Sequence, residues 1–217
     1  MSQRPVSTDA QTHLNQSIAE TLDSTRSRAT EKRHSKGYRT ARENLQDLVD
    51  DNSFIEYGQL AVAAQRDRRD PSTLRVDTAA DGVITGTATI NAAVCLNERT
   101  NVAVAIYDYS VLAGTQGFFH HQKLDRIFEI AERERLPFIM YTEGGGGRPG
   151  DTDVKVNIAG LNSTSFSRWA GLTGKVPRIT VNNGYCFAGN AALFGAGDVR
   201  IATKSSYIGM AGLALCC

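Results

Sequence analysis

Two glycine-bearing stretches hold the residues best placed to do chemistry, and neither depends on a reactive side chain. The first, "TEGGGGRPGDTD" at residues 142–153, carries four consecutive glycines, an arginine and two aspartates directly after the apolar run "LPFIMY". The second, "GYCFAGNAALFGAG" at residues 184–197, sets Ala188 and Gly189 ahead of an alanine-rich helical stretch. Glycine loses more freedom on folding than any other residue, so a run of it marks backbone that must turn sharply or be approached closely. At a helix start the first N–H groups lack an intrahelical acceptor and carry the positive end of the dipole. Small residues there let a carbonyl oxygen reach the main chain. Fixed N–H donors aimed at an oxygen that gains negative charge are the specification of an oxyanion hole.

Side-chain chemistry is sparse by comparison. The nucleophile-elbow pattern G-x-S-x-G and the P-loop pattern are both absent, and without a P-loop lysine Gly144–Arg148 is a weak phosphate cradle. His120 and His121 are neighbours on a predicted helix, do not share a face, and read as polar residues of a first turn. Lys123 reads as a solvated charge, and Asp151 and Asp153 as turn formers after Pro149-Gly150. Four cysteines, Cys95, Cys186, Cys216 and Cys217, form no C-x-x-C pair, which gives no zinc pattern.

Both glycine stretches need elements to position them. The first 35 residues are polar, with Leu14, Ile18 and Leu22 as a narrow apolar stripe predicting a peripheral helix. A second helix with Leu45 and Leu48 inward follows, and residues 66–81, which contain Pro71, read as a loop. "DGVITGTATI" and "NVAVAIYDYSVL" are strand-like, the latter nearly continuous as for a strand covered on both faces. Leu124, Ile127, Phe128 and Ala131 then define the buried stripe of a long helix. Strands are predicted at "PFIMYTE", "PRITVNN" and "VRIATKSSYIGMAG", with helices at "NSTSFSRWAGLTGK" and after Ala188. This alternation predicts an α/β fold with a mainly parallel sheet, and both glycine stretches then lie at strand C-terminal ends, where open α/β sheets bind ligands.

Lysine plus arginine is 24 against 23 for aspartate plus glutamate, a net charge of +1 that offers no broad surface for nucleic acid or anionic membrane. The polar N-terminus has no signal-peptide core, and no apolar run approaches the ~18 residues of a membrane span. These features favour a cytoplasmic, reduced protein.

The segments "EKRHSKGYRTARENLQDLVDDNSFIEYG", "DGVITGTATI", "VLAGTQGFFHHQKLDRIFEIA", "EGGGGRPG" and "GYCFAGNAALFGAGDVRIATKSSYIGMAG" occur in an order that resembles the N-terminal half of biotin-dependent acyl-CoA carboxyltransferases, of the propionyl-CoA and acetyl-CoA carboxylase β-subunit type. The resemblance covers roughly residues 30–212 and implies a crotonase-like fold, a superhelix of ββα units, of which residues 36–212 would be the N-terminal-type domain and 1–35 a polar extension. It also implies carboxyl transfer from carboxybiotin to the α-carbon of an acyl-CoA through an enolate, with biotin on a carboxyl carrier protein or domain, a biotin carboxylase component as partner, and a homo-oligomer whose sites are shared between subunits. No metal is implied. The family's oxyanion glycine pair falls on Ala188 and Gly189. Its S-G-G-A-R loop falls on Gly144, Gly145, Gly146, Gly147 and Arg148, and its G-[ST]-L-G turn on Gly114, Thr115, Gln116 and Gly117. Catalytic Ala188 and Gly189, with substrate-binding Gly114, Gly117 and Gly144–Arg148, are therefore the expected site.

Two departures stand out. Alanine replaces glycine at 188, where a positive φ would be costly. Residues 213–217 run "LALCC" where the family continues into a second half, which reads as a truncated or frameshifted product. The competing readings are a decarboxylase subunit that runs the transfer in reverse, and a CoA-binding or assembly fragment without turnover.

Overall fold

The computed structural model describes residues 8–95, 99–154 and 163–211. In chain order the helices are α1 (Thr8–Ala19), α2 (Ser27–His34), α3 (Ala41–Leu48), α4 (Pro71–Asp77), α5 (Phe118–Glu134), α6 (Ser165–Gly171) and α7 (Gly189–Gly195). The strands are β1 (Ile55–Tyr57), β2 (Val83–Thr89), β3 (Asn101–Tyr107), β4 (Phe138–Tyr141), β5 (Arg178–Asn182), β6 (Tyr185–Phe187), β7 (Val199–Ala202) and β8 (Tyr207–Gly209).

One sheet runs β1-β2-β3-β4-β5-β7, antiparallel at β1/β2 and β2/β3 and parallel from β3 onward. A second, shorter row lies beside it. Gln116 bridges Gly147, Gly144 bridges Cys186, and β6 pairs with β8, all in parallel. Each turn of the chain thus places a strand in the large sheet, a short extended segment in the small row, and then a helix. Such repeated ββα turns make the crotonase-like superhelix. The parallel strands supply the expected α/β alternation, and the antiparallel β1 and β2 open it.

Burial follows the predicted periodicities. Val102 to Tyr107 are all buried, as a strand covered on both faces requires. Below the sheet Leu124, Ile127, Phe128 and Ala131 pack with Phe138, Met140 and Trp169; above it Ile84, Val104 and Ile106 pack with Ala41 and Leu45. Trp169 also donates its indole N–H to the Leu193 carbonyl at 2.9 Å, which ties α6 to α7. Thr40 and Glu43 form a capping box at the start of α3.

Several expectations change. Residues 71–77 form a helix, because Asp70 accepts from the Ser72 N–H and Pro71 occupies the first turn, where its missing N–H costs nothing. On the peripheral helix α1 the apolar stripe is graded, Leu14 being exposed and Ile18 and Leu22 half-buried, while Ser17 and Thr21 beside it are buried. Arg26 pairs with Asp108 at 2.8 Å, and Arg33 forks onto both Glu143 oxygens at 2.9 and 2.7 Å, so α2 is fastened to the body by two buried ion pairs. Leu213 to Cys217 lie outside the described residues.

Candidate active site

The glycine loop is a hub of main-chain bonding. Gly144 N–H donates to the Tyr185 carbonyl at 2.7 Å and Gly145 N–H to Ala113 at 2.9 Å. Gly146 N–H donates to Asn190 Oδ1 at 3.0 Å. Gln116 N–H donates to the Gly146 carbonyl at 2.7 Å, and Arg148 N–H to Gln116 at 2.9 Å. The loop is therefore stitched between the 114–117 turn and β6 at the head of α7, which brings every residue of the expected site into one region. Gly114, at φ +62°, touches this loop so closely that an added Cβ would fall 2.5 Å from the Glu143 carbonyl oxygen. Only glycine fits there.

Asn190 is the clamp that sequence reasoning missed. Fully buried in the first turn of α7, it accepts from Gly146 and donates Nδ2–H to the Thr142 carbonyl at 3.2 Å. Its signal was available: an asparagine is a poor choice inside an alanine-rich helix unless its amide has work to do. Gln116, expected only as a member of the 114–117 turn, also acts through its side chain. Its Nε2 donates to the Tyr107 hydroxyl at 2.9 Å, while its Oε1 lies against Gly189, within 2.4 Å of where a Cβ would stand.

The donors at Ala188 and Gly189 differ. Ala188 N–H is spent on the Gly209 carbonyl at 3.0 Å. Gly189 N–H opens α7 and has no acceptor among the described residues. Gly147 N–H likewise finds none, and the parallel bridge turns it away from Gln116. Ala188 sits at φ 49°, ψ −119°, a region natural to glycine and strained for any L residue, with its methyl against Gly146.

Arg148 turns inward. Its guanidinium pairs with Asp81 and Asp151, both essentially inaccessible, and donates Nη2–H to the Thr115 carbonyl at 2.7 Å. Those two carboxylates in turn cap α5, which has no side-chain cap of its own: Asp151 accepts from Phe118 N–H at 2.8 Å and Asp81 from His120 N–H at 2.7 Å. Asp151 is thus a buried partner and not only a turn former, and Asp153 accepts from the Arg66 and Asp67 N–H groups at 2.9 and 3.0 Å. What residue 148 offers at the surface of the loop is main chain, while its charge holds the turn and α5 in register.

His120 and Lys123 also differ from expectation, being buried. His120 Nδ1–H donates to the Asp81 carbonyl at 3.0 Å, leaving Nε2 buried without a partner; burial holds this imidazole neutral, well below its ordinary range. Lys123 Nζ donates to the carbonyls of Ala80 and Val83, and burial pushes it down to about 7. Lysine's long stem crosses the core to cap the irregular turn at Ala80 and Asp81, both at positive φ. His121 is half-buried with its Nδ1 3.0 Å from Ser165 Oγ, and its ring meets that of His120 edge-on with centroids 6.2 Å apart.

Among the described residues no group of three or more His, Cys, Asp or Glu is placed to hold a metal, and no helix is long and apolar enough to cross a membrane. The arrangement is a main-chain platform with free N–H groups at Gly189 and Gly147, suited to a carbonyl oxygen that acquires charge.

A solved single-chain, multi-domain long-chain acyl-CoA carboxylase is 51% identical with a TM-score of 0.88, over 97% of this chain and 21% of that one. A solved transcarboxylase 12S, a hexamer with hydrolysed methylmalonyl-coenzyme A bound, is 28% identical with a TM-score of 0.74, over 95% of this chain and 37% of that one. The propionyl-CoA carboxylase beta chain of Saccharopolyspora erythraea is 30% identical across 163 residues, 75% of this chain and 27% of the relative. The chain therefore spans between about a fifth and two fifths of the length of these proteins. The family model described as the carboxyl transferase domain matches residues 32–216, and the chain belongs to that family.

Proposed function

We propose that this chain supplies the acyl-CoA side of a biotin-dependent carboxyl transfer, holding a thioester carbonyl so that its α-carbon can become an enolate. The observation that carries this reading is the free Gly189 N–H at the head of α7, beside a glycine loop that a flat acyl group can lie against. Gly189 N–H, with Gly147 N–H as second donor, binds the thioester oxygen and gains strength as that oxygen turns negative. Ala188 acts through shape: its strained turn aims Gly189 outward. Gly114 and Gly117 set the turn that backs the loop, and Arg148 locks it from within.

No basic side chain is assigned to the α-proton. Carboxybiotin, carried by a partner component, would release its carboxyl group as CO2 for the enolate to take up, and the biotin anion left by that cleavage would accept the α-proton. The residues of this chain fit the acyl side of such a reaction, in which the protein contributes position and electrostatics. The homo-oligomeric and biotin-carrier partnerships expected from the family, together with a cytoplasmic setting, belong to the same proposal. Titration of the 217-residue chain with acetyl-CoA and propionyl-CoA, followed by assay of carboxyl transfer involving free biotin, tests it. Thioester binding is expected, with turnover depending on the further length that the relatives carry. A chain that binds neither thioester would sink the reading.

A further inference from the structure

Among the described residues, β7 closes the large sheet with β5 as its neighbour, and β8 closes the short row beside β6. Val199, Ile201, Tyr207, Ile208 and Met210 are all exposed there, the densest run of bare large apolar side chains among the described residues. An open edge of this kind is ordinarily guarded by proline, a bulge or an outward charge. β7 reads Val-Arg-Ile-Ala, and its charge is withdrawn: Arg200 Nη1–H groups donate to the Gly195 and Gly197 carbonyls at 3.2 and 2.6 Å, at the C-terminal end of α7.

The ladder fixes which backbone groups of this edge are free. Thr142 N–H takes the Val181 carbonyl and Thr203 N–H the Asn182 carbonyl, so the even-numbered residues of β5 face β7. With Thr180 opposite Arg200, those bonds run to Val199, Ile201 and Thr203. Arg200 and Ala202 therefore turn their N–H and C=O groups outward. If an identical strand pairs with this edge about a two-fold axis, three registers join those groups to one another. One sets Arg200 against its own twin and another sets Arg200 against Lys204; both oppose like charges, which destabilises a strand pair. The third sets Arg200 against Ala202, Ile201 against its own twin on the axis, and Asp198 against Lys204. Lys204 has no ion pair among the described residues, and the Asp198 carboxylate stays half exposed while it pairs with Arg178. In this register the edge is complementary to itself in charge as well as in apolar surface.

We propose that this edge joins two copies of the chain, β7 pairing antiparallel with β7 in the third register so that two six-stranded sheets become one. Such a contact closes at two. It stands independently of the acyl-CoA reading and uses none of the residues placed at the glycine platform.

Sedimentation velocity of the full chain at micromolar concentrations tests this, and a dimer is expected. Ile201→Lys sets two like charges face to face on the axis and removes two apolar side chains from it, so the dimer dissociation constant should rise roughly a hundredfold or more. Cysteine pairing reads the register separately. In a chain carrying Cys95→Ser, Cys216→Ser and Cys217→Ser, with buried Cys186 kept, Ile201→Cys should form an intermolecular disulfide under mild oxidation, because it directly opposes its twin. Val199→Cys, which faces Thr203, should not. A chain that stays monomeric, a dimer that survives Ile201→Lys, equal cross-linking at 199 and 201, or association that grows past two would each overturn the proposal.

Discussion

Replacing Ala188 by glycine should stabilise the protein, although the usual effect of alanine-to-glycine is the reverse. The residue sits at φ 49°, ψ −119°, outside the regions open to L residues. Holding a side-chain-bearing residue in such a region costs on the order of 1–3 kcal/mol. Glycine returns roughly 0.4–1 kcal/mol through its freer unfolded chain. Loss of the half-buried methyl against Gly146 costs a fraction of the ~0.8 kcal/mol of a buried methylene. Taking ~2 kcal/mol for the strain leaves a net gain of about 1 kcal/mol, or a melting temperature about 2–4 °C higher for a chain of this size. Urea denaturation should show a higher midpoint with an unchanged slope. A destabilised variant would mean that the strain at Ala188 is not what the backbone shows.

Arg148→Met leaves Asp81 buried without its counter-charge, which should cost about 3–5 kcal/mol in denaturant unfolding, with Asp81→Asn in the same chain recovering part of the loss. Asn190→Ala removes the acceptor of Gly146 N–H and the donor to Thr142; a loss of about 2 kcal/mol is expected, with faster amide exchange at Gly146 as its local signature. Lys123 gives a pH test. Its folded value of about 7 lies below the ordinary 10.5, so between those values the unfolded chain holds a proton that the folded chain has lost. Stability should then rise with pH above about 7, by up to about 1.4 kcal/mol per unit, and the difference from Lys123→Met should trace that slope and flatten below pH 7.

Elements whose signal is local were legible. The apolar period of α5 and the unbroken apolar run of β3 predict both elements and their buried faces, because neither depends on distant partners. α4 was missed for the opposite reason: its seven residues are mostly polar, so only the Asp70-Pro71 cap announces it. Residues that act across long sequence separations were misread. Lys123 looks like a surface charge until the carbonyls of Ala80 and Val83 are brought beneath it, and Arg148 looks like a binding residue until Asp81, 67 positions earlier, takes its charge. At Ala188 the substitution was visible as a conflict, but its consequence was not. Pairing of Ala188 N–H with Gly209 comes from the β6/β8 row, which local pattern cannot supply.

The most direct test of the account follows the thioester carbonyl itself. Acetyl-CoA labelled with carbon-13 at the carbonyl reports hydrogen bonding through its infrared stretch, which falls as the oxygen is polarised. Gly189→Pro deletes one N–H at a first helical position that proline tolerates, and Gly189→Ala keeps the N–H while adding bulk toward Gln116. Binding to the wild-type chain should lower the band, Gly189→Ala should retain that lowering in whatever fraction binds, and Gly189→Pro should lose most of it. A bound thioester whose carbonyl band matches that in water, or a lowered band that survives Gly189→Pro unchanged, would contradict the assignment of Gly189 as the donor.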